Sequence, residues 1–160
     1  MTNDKAIVSI TANATANIKE QRLAFRLLSY WDRVRAGRNF PALSDINIGE
    51  LLEIWHFSFT INVTNQVHDE HEFLYFGPEL TSIFNQDLTG EKISEALNDV
   101  ILNNTIGSYH RAIEKREPTM DSGKFYYDGQ MVKYRTLFVP LSSDGTIIDY
   151  IMGTTNYVIY

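Results

Sequence analysis

The stretch Gly123–Tyr160, GKFYYDGQMVKYRTLFVPLSSDGTIIDYIMGTTNYVIY, is rich in β-branched and aromatic residues and is divided by two turn signals. Asp128-Gly129 is a strong two-residue hairpin signal, because such turns need positive φ at their centre. Ser142 to Gly145 supplies the second turn. Three antiparallel strands are therefore expected to close the chain.

Working back from this region, FSFTINVTN (57–65) alternates strictly, setting Phe57, Phe59, Ile61 and Val63 against Ser58, Thr60, Asn62 and Thr64. That period of two predicts a half-buried strand. NQVHDEH is polar turn material and EFLYFG a second strand, so the pair reads as a hairpin. Between the two β regions, Pro78-Glu79 opens a short helix running to Phe84, and NQDLTG is a loop. Helical pieces follow at about 93–97 and 99–116, the second with Leu102, Ile106, Tyr109 and Ile113 on one face.

Before the first strand, Leu23, Leu27, Tyr30, Trp31 and Val34 recur at intervals of three and four, with Ala24 and Leu28 widening the stripe. The spacing predicts a helix over 18–36, with Gly37 as its C-terminal stop and Pro41 closing off any continuation. Residues 1–17 are small and polar and read as a flexible lead-in, leaving 18–160 as one domain. The order of elements, a helix, two strands, short helices and three strands, is that of an α+β domain.

The 160 residues are 44% apolar and 12% aromatic, a globular composition. No apolar run approaches the roughly 20 residues of a membrane span, and the N-terminus lacks a signal-peptide layout, so a cytoplasmic location is expected. The absence of cysteine removes disulfides, thiol nucleophiles and zinc–thiolate sites together. The net charge of −6 is unevenly spread. Residues 19–38 hold six of the fourteen basic residues against Glu20 and Asp32, whereas 45–99 hold eleven acids and only Lys92. Such asymmetry can draw two copies or a partner together, and it argues against nucleic acid as a ligand.

The words YWDRVRAGRNFPALSDI (30–46), FGPELTSIFNQDLTG (76–90) and LFVPLSSDGTIIDYIMG (137–153) resemble the landmarks of a bacterial PAS subfamily. That subfamily is chiefly known from alphaproteobacteria and its members are often small stand-alone proteins. The resemblance implies a PAS fold: a five-stranded antiparallel sheet of order 2-1-5-4-3, with short helices on one face and an N-terminal flanking helix outside the core. It also implies a non-enzymatic sensory or signalling module, working in trans through small-molecule binding, protein contact or both. Family members often carry a basic residue just before the glycine that ends the second strand, and here that residue is Phe76. The alternatives are a small enzyme, or a haem- or flavin-binding redox sensor using the PAS cavity.

His68 and His71, beside Asp69, Glu70 and Glu72, have a spacing that could hold a metal, but no third ligand is visible and the stretch reads as a solvated turn. His110 falls where haem-binding PAS domains place their iron ligand, next to the inward face of its helix rather than on it. No glycine-rich phosphate loop and no Ser/His/acid spacing is present, so no cofactor, metal or catalytic residue is expected. Candidates to line a pocket between sheet and helices are Phe57, Phe59, Ile61, Phe84, Ile106, Tyr109, Ile113, Tyr134, Phe138 and Met152. Leu23, Leu27, Tyr30, Trp31 and Val34 pack either on the domain's own sheet or on a second subunit of a homodimer. Arg38, Pro41 and Asp45 are expected to be structural, with Arg38 pairing with Asp45 to fix the connection into the first strand.

Overall fold

The computed structural model describes residues 22–65, 67, 70–127 and 129–159. Helix α1, Leu23–Arg35, leads through short 3₁₀ turns at Leu43–Asp45 and Ile48–Glu50 to α2, Leu52–His56. Strands β1, Ser58–Asn62, and β2, Glu72–Phe76, are followed by α3, Pro78–Phe84; α4, Ile93–Ala96; α5, Val100–Ile106; and α6, His110–Lys115. Strands β3, Thr119–Tyr127; β4, Gln130–Leu141; and β5, Tyr150–Ile159 end the chain. The sheet has the expected order β2-β1-β5-β4-β3, with every pairing antiparallel.

The proposed start of the first helix at residue 18 and the lead-in 1–17 lie outside the described residues. The helix ends one residue before the expected stop. Ala36 (φ 51°) and Gly37 (φ 81°) are both left-handed, and the Ala36 N–H bonds to the Arg33 carbonyl. Arg38 then folds back, donating to the Val34 and Arg35 carbonyls at 2.9 and 2.8 Å, which are acceptors the helix end leaves open. It also meets Asp45 at 2.8 Å, and the same Asp45 oxygen accepts from the Ala42 N–H at 2.8 Å. Buried Pro41 presents its carbonyl to the Ser142 N–H at 2.9 Å, tying this joint to the β4–β5 turn.

The first helix is part of the core and not outside it. Leu23, Ala24, Leu27, Tyr30 and Trp31 are buried in the same cluster as the sheet residues, and Val34 packs against that cluster half-buried. The helix lies on the sheet face that carries Arg135, whose guanidinium sits over the Phe25 ring at 5.9 Å. By alternation, that face also carries Leu137, Val139, Met152, Ser58 and Thr60. Trp31 anchors the far end, its indole N–H donating to the Pro140 carbonyl at 2.8 Å in a buried setting. The Tyr30 hydroxyl accepts from the Asn47 N–H at 2.7 Å.

With α3 to α6 on the other face, β1 is covered on both sides. Ser58, Phe59, Thr60 and Ile61 are all buried, although their alternation predicted a strand half open to water. Its partner β2 alternates only from Glu72 to Leu74 and then loses the period. The register passes from Thr60↔Tyr75 to Ile61↔Phe73, so Leu74 is a bulge residue, 43% exposed. The extra residue lets Phe73 and Phe76, three apart, both point inward. Gly77 then closes β2 where its backbone lies against that of His56 and Ser58, and a Cβ would collide with the His56 carbonyl oxygen. Over 99–116 the expected single helix is broken. Asp99 caps α5 by accepting from the Ile101 and Leu102 N–H groups, and a 3₁₀ turn at Gly107–Tyr109 separates α5 from α6. Gly107, a poor helix former, sits at the change.

The segregation of charge along the chain is partly cancelled in space. Arg26 pairs with Glu53 (2.9 Å), Arg33 with Glu50 (3.3 Å) and Arg38 with Asp45 (2.8 Å), each joining the basic segment to the acidic one. Arg35 pairs within the helix with Asp32 (2.7 Å). These pairs are exposed and individually worth about 0–1 kcal/mol, so they orient α1 rather than hold it. The charge asymmetry, expected to draw copies together, is spent in good part inside one chain.

Two outcomes follow for the docked helix. Trp31→Phe keeps most of the apolar contact but leaves the Pro140 carbonyl without its indole donor; urea unfolding should show a loss of about 1–3 kcal/mol. The Ala42 N–H bond, then the Arg38 guanidinium, hold the Asp45 carboxyl below its ordinary value of 3.8. A depressed folded-state pKa stabilises above the unfolded value and loses that effect as pH falls through the folded one. The stability difference between the native chain and Asp45→Asn should therefore be full near neutrality and shrink as pH is lowered below about 4 in a urea series.

Candidate functional site

The layer between the sheet and α3–α6 is where the pocket residues were expected to meet. Phe59, Ile61, Phe84, Ile106, Tyr109 and Phe138 are all buried there. Their rings form a continuous series: Phe138 to Phe59 at 5.9 Å, Phe59 to Phe73 at 6.4 Å, Phe73 to Phe76 at 5.2 Å, Phe76 to Phe84 at 6.1 Å and Phe84 to Tyr157 at 6.3 Å. Most contacts are edge-on or tilted, the favoured arrangement for close-packed aromatic rings. These side chains pack against one another. Phe76 is one of these rings, in apolar contact with Phe73 and Phe84.

The remaining candidates fall elsewhere. Met152 pairs with Thr60 and Val139 and so belongs to the opposite face, under α1; its place in a pocket is corrected by the register of β5. Phe57 is a half-buried cap between α2 and β1, and Ile113 is half-buried on α6. Tyr134 stands at the outer end of the sheet, its ring 6.1 Å from Phe125. Burial, then the nearby Asp121 carboxylate, pushes the Tyr134 hydroxyl pKa upward.

Two polar pairs are set into this layer. Tyr157 is fully buried, and its hydroxyl lies 2.9 Å from Thr105 Oγ1. Thr105 donates its own proton to the Ile101 carbonyl at 2.8 Å, which makes Tyr157 the donor in the pair. Burial raises the Tyr157 pKa far above the ordinary tyrosine value, so the phenol stays neutral.

The second pair overturns the reading of His71 as part of a solvated turn. Its side chain is 3% exposed, with Nε2 at 2.8 Å from the Asn65 carbonyl and Nδ1 at 2.7 Å from Tyr109 Oη. A carbonyl only accepts, so Nε2 carries the proton in the neutral ring and Nδ1 accepts from the tyrosine. His71 thereby joins the end of the β1–β2 connection to the turn between α5 and α6. Its partner in the supposed metal pair, His68, lies outside the described residues, as does Asp69. No group of three metal-ligating side chains occurs among the described residues. His110 is half-buried beside Tyr109, which takes the inward position on that turn.

One opening reaches this layer from outside. A groove of about 370 Å³ between α3 and α5 has Phe84, Leu88 and Leu102 as an apolar floor. Gln86, Glu91, Glu95, Asn98 and Asp99 form its rim, with no basic side chain among the described residues of the lining. Its floor residue Phe84 touches Tyr157, so a molecule held here would press on the innermost hydroxyl pair. Leu88 and the acidic rim were not among the expected pocket residues; they sit in NQDLTG and the short helices, where no periodic signal marks them. Tyr109→Phe, which deletes the hydroxyl facing His71, should cost about 1 kcal/mol in urea unfolding and shift the His71 ring ¹⁵N resonances, Nδ1 most of all.

A family model for the PAS domain matches residues 19–155, nearly the whole of the described structure. No curated protein matches the chain. No helix among the described residues is long and apolar enough to cross a membrane. The matched span takes in the α1 helix, the sheet as far as Thr155 of β5 and every intervening helix, and on that basis the chain belongs to the PAS domain family.

Proposed function

We propose that this PAS domain is a non-enzymatic signalling module that acts through protein contact on a separate partner, in keeping with the stand-alone bacterial subfamily its motifs resemble. The observation that carries this reading is the aromatic series from Phe138 to Tyr157, which occupies the layer where a PAS ligand would lie. A domain whose interior is taken up by its own rings has its outer surfaces left for recognition. The chain works as a homodimer at the outward side of α1 and α2, where Phe25 (55% exposed) lines a groove edged by Arg22, Arg26, Arg33 and Glu50, and where Ile48 (48%) and Leu52 (64%), next in sequence to groove residues or one removed from them, are also exposed. The inward stripe of α1 is already used on its own sheet, so these outward residues replace it as the dimer surface.

A second reading, small-molecule sensing, is favoured by the acidic groove over Phe84. Its apolar floor and carboxylate rim suit an organic cation with an apolar body. A ligand there would act only through its different affinity for two arrangements of the layer beneath.

Native mass spectrometry of the purified protein should show the mass of the polypeptide alone, in a dimer. A co-purified small molecule would overturn the filled-layer reading in favour of the second. Light scattering at micromolar concentration should likewise give a dimer that Leu52→Glu converts to monomer; a monomeric native chain removes the homodimer part.

A further inference from the structure

The two edges of the sheet are treated differently. Outside β2, residues 90–93 run alongside as a cover: Gly90 N–H bonds to the Phe73 carbonyl (2.8 Å), Phe73 N–H to Glu91 (3.0 Å) and Ile93 N–H to His71 (2.9 Å). Among the described residues, no such cover lies outside β3. Strand β3 is nine residues long and is the last in the sheet. Among the described residues, no backbone group from outside the β3–β4 ladder bonds to any residue of 119–127. A long edge with open N–H and C=O groups is a template for one more strand.

The side chains along this edge select what could pair with it. Lys124 lies directly across from Lys133, and Ser122 across from Arg135, so alternation puts all three cations on one face. They line an open groove of about 570 Å³ that holds no acidic side chain among the described residues, on a chain whose net charge is −6. The one acid of β3, Asp121, points to the other face, where it accepts from Ser108 Oγ at 2.7 Å. That other face is apolar near the edge. Gly123 leaves the Tyr134 ring uncovered, and Phe125 stands beside it at 6.1 Å. A second copy of this edge is a poor partner, because antiparallel pairing about Gly123 would bring two sets of the same cations together.

We infer that the open edge of β3 is a docking site for an extended acidic segment of a partner protein, which adds as a sixth strand. Carboxylates at alternate positions would face Lys124 and Arg135, and apolar side chains between them would lie over Gly123, Tyr134 and Phe125. Backbone hydrogen bonds supply affinity in this mode, and the alternating side chains supply specificity. The inference rests on the reading of this domain as a protein-contact module and names the surface and the kind of partner.

The test uses a fluorescently labelled nine-residue peptide alternating glutamate and valine, matched in length to β3. Fluorescence anisotropy should show saturable binding, weakened about tenfold by Lys124→Glu, with thermal unfolding of that exposed-site variant unchanged. Methylating alternate peptide nitrogens should abolish binding, and a lysine–valine peptide should not bind. In ¹⁵N spectra, the outward-facing amides of 119–127, alternate along the strand and not bonded to β4, should become protected from exchange only in the complex. Binding that survives N-methylation is attraction between charges alone and overturns the added strand. Outward-facing β3 amides already protected in the free protein, and released on dilution, identify a second copy as the occupant and overturn it as well. If the peptide instead shifts resonances of α1 and α2, the edge proposal fails while the contact-module reading stands; if it binds nowhere while the protein still dimerises, the edge proposal fails alone.

Discussion

An antiparallel sheet with two apolar faces cannot rest with one of them in water, and the structure turns on that constraint. The helices between β2 and β3 cover one face; α1, arriving from before the first strand, covers the other. Trp31 and Tyr30 alone each bring roughly 150–250 Å² of ring surface out of water, which at about 25 cal/mol per Å² amounts to several kcal/mol each. The exposed arginine–carboxylate pairs along the same helix are each worth a fraction of that. Hydrophobic docking therefore decides where α1 lies. The Trp31–Pro140, Tyr30–Asn47 and Pro41–Ser142 hydrogen bonds set its register against the sheet.

The helix-side layer is built on a different balance. Its apolar content is ring against ring, and its polar content is confined to hydroxyl, imidazole and carbonyl groups that satisfy one another. Tyr157 and Thr105 make one such pair, His71 and Tyr109 another. In a medium where an unmade hydrogen bond costs more than a made one gains, such pairs change partner together or not at all. Each also joins two elements distant in sequence: β5 to α5, and the start of β2 to the turn before α6. A movement of α3, transmitted through the Phe84–Tyr157 contact, would have to be answered by α5. This is the physical sense in which a filled PAS layer can still convey a signal.

Much of this was legible in the sequence, and the misses have identifiable causes. Turn chemistry at Ser142–Gly145 and the alternation in FSFTINVTN gave the sheet, and the resemblance gave its order. The Arg38–Asp45 pair was readable because both partners sit within eight residues of one another. Alternation could not show that Ser58 and Thr60 are buried, because small polar side chains under a helix look the same as ones facing water. Nor could it show the bulge at Leu74, which breaks the period that strand reading depends on. Met152 was placed on the wrong face for a related reason: apolar residues on a strand covered on both sides carry no mark of which side they serve. His71 was the more recoverable error. It stands two residues before Phe73, and continuing the period of two would have set it inside.

Charge gave the least reliable guide, because sequence position is a poor proxy for position in space. The basic stretch 19–38 and the acidic stretch 45–99 look like opposed poles, yet Arg26, Arg33 and Arg38 reach the first part of the acidic stretch and neutralise it locally. Acid gathers on the rim over Phe84, where Glu91, Glu95 and Asp99 lie on the helix-covered face with no basic side chain among the described residues of the groove. Base gathers on the opposite face, where Lys124, Lys133 and Arg135 are brought together by the β3–β4 register although nothing in their sequence spacing announces it. The domain thus carries two grooves of opposite sign on opposite faces of one sheet. An acidic segment approaching the protein would meet repulsion at the first and attraction at the second, so the distribution of charge, and not its net value, decides where such a segment can approach.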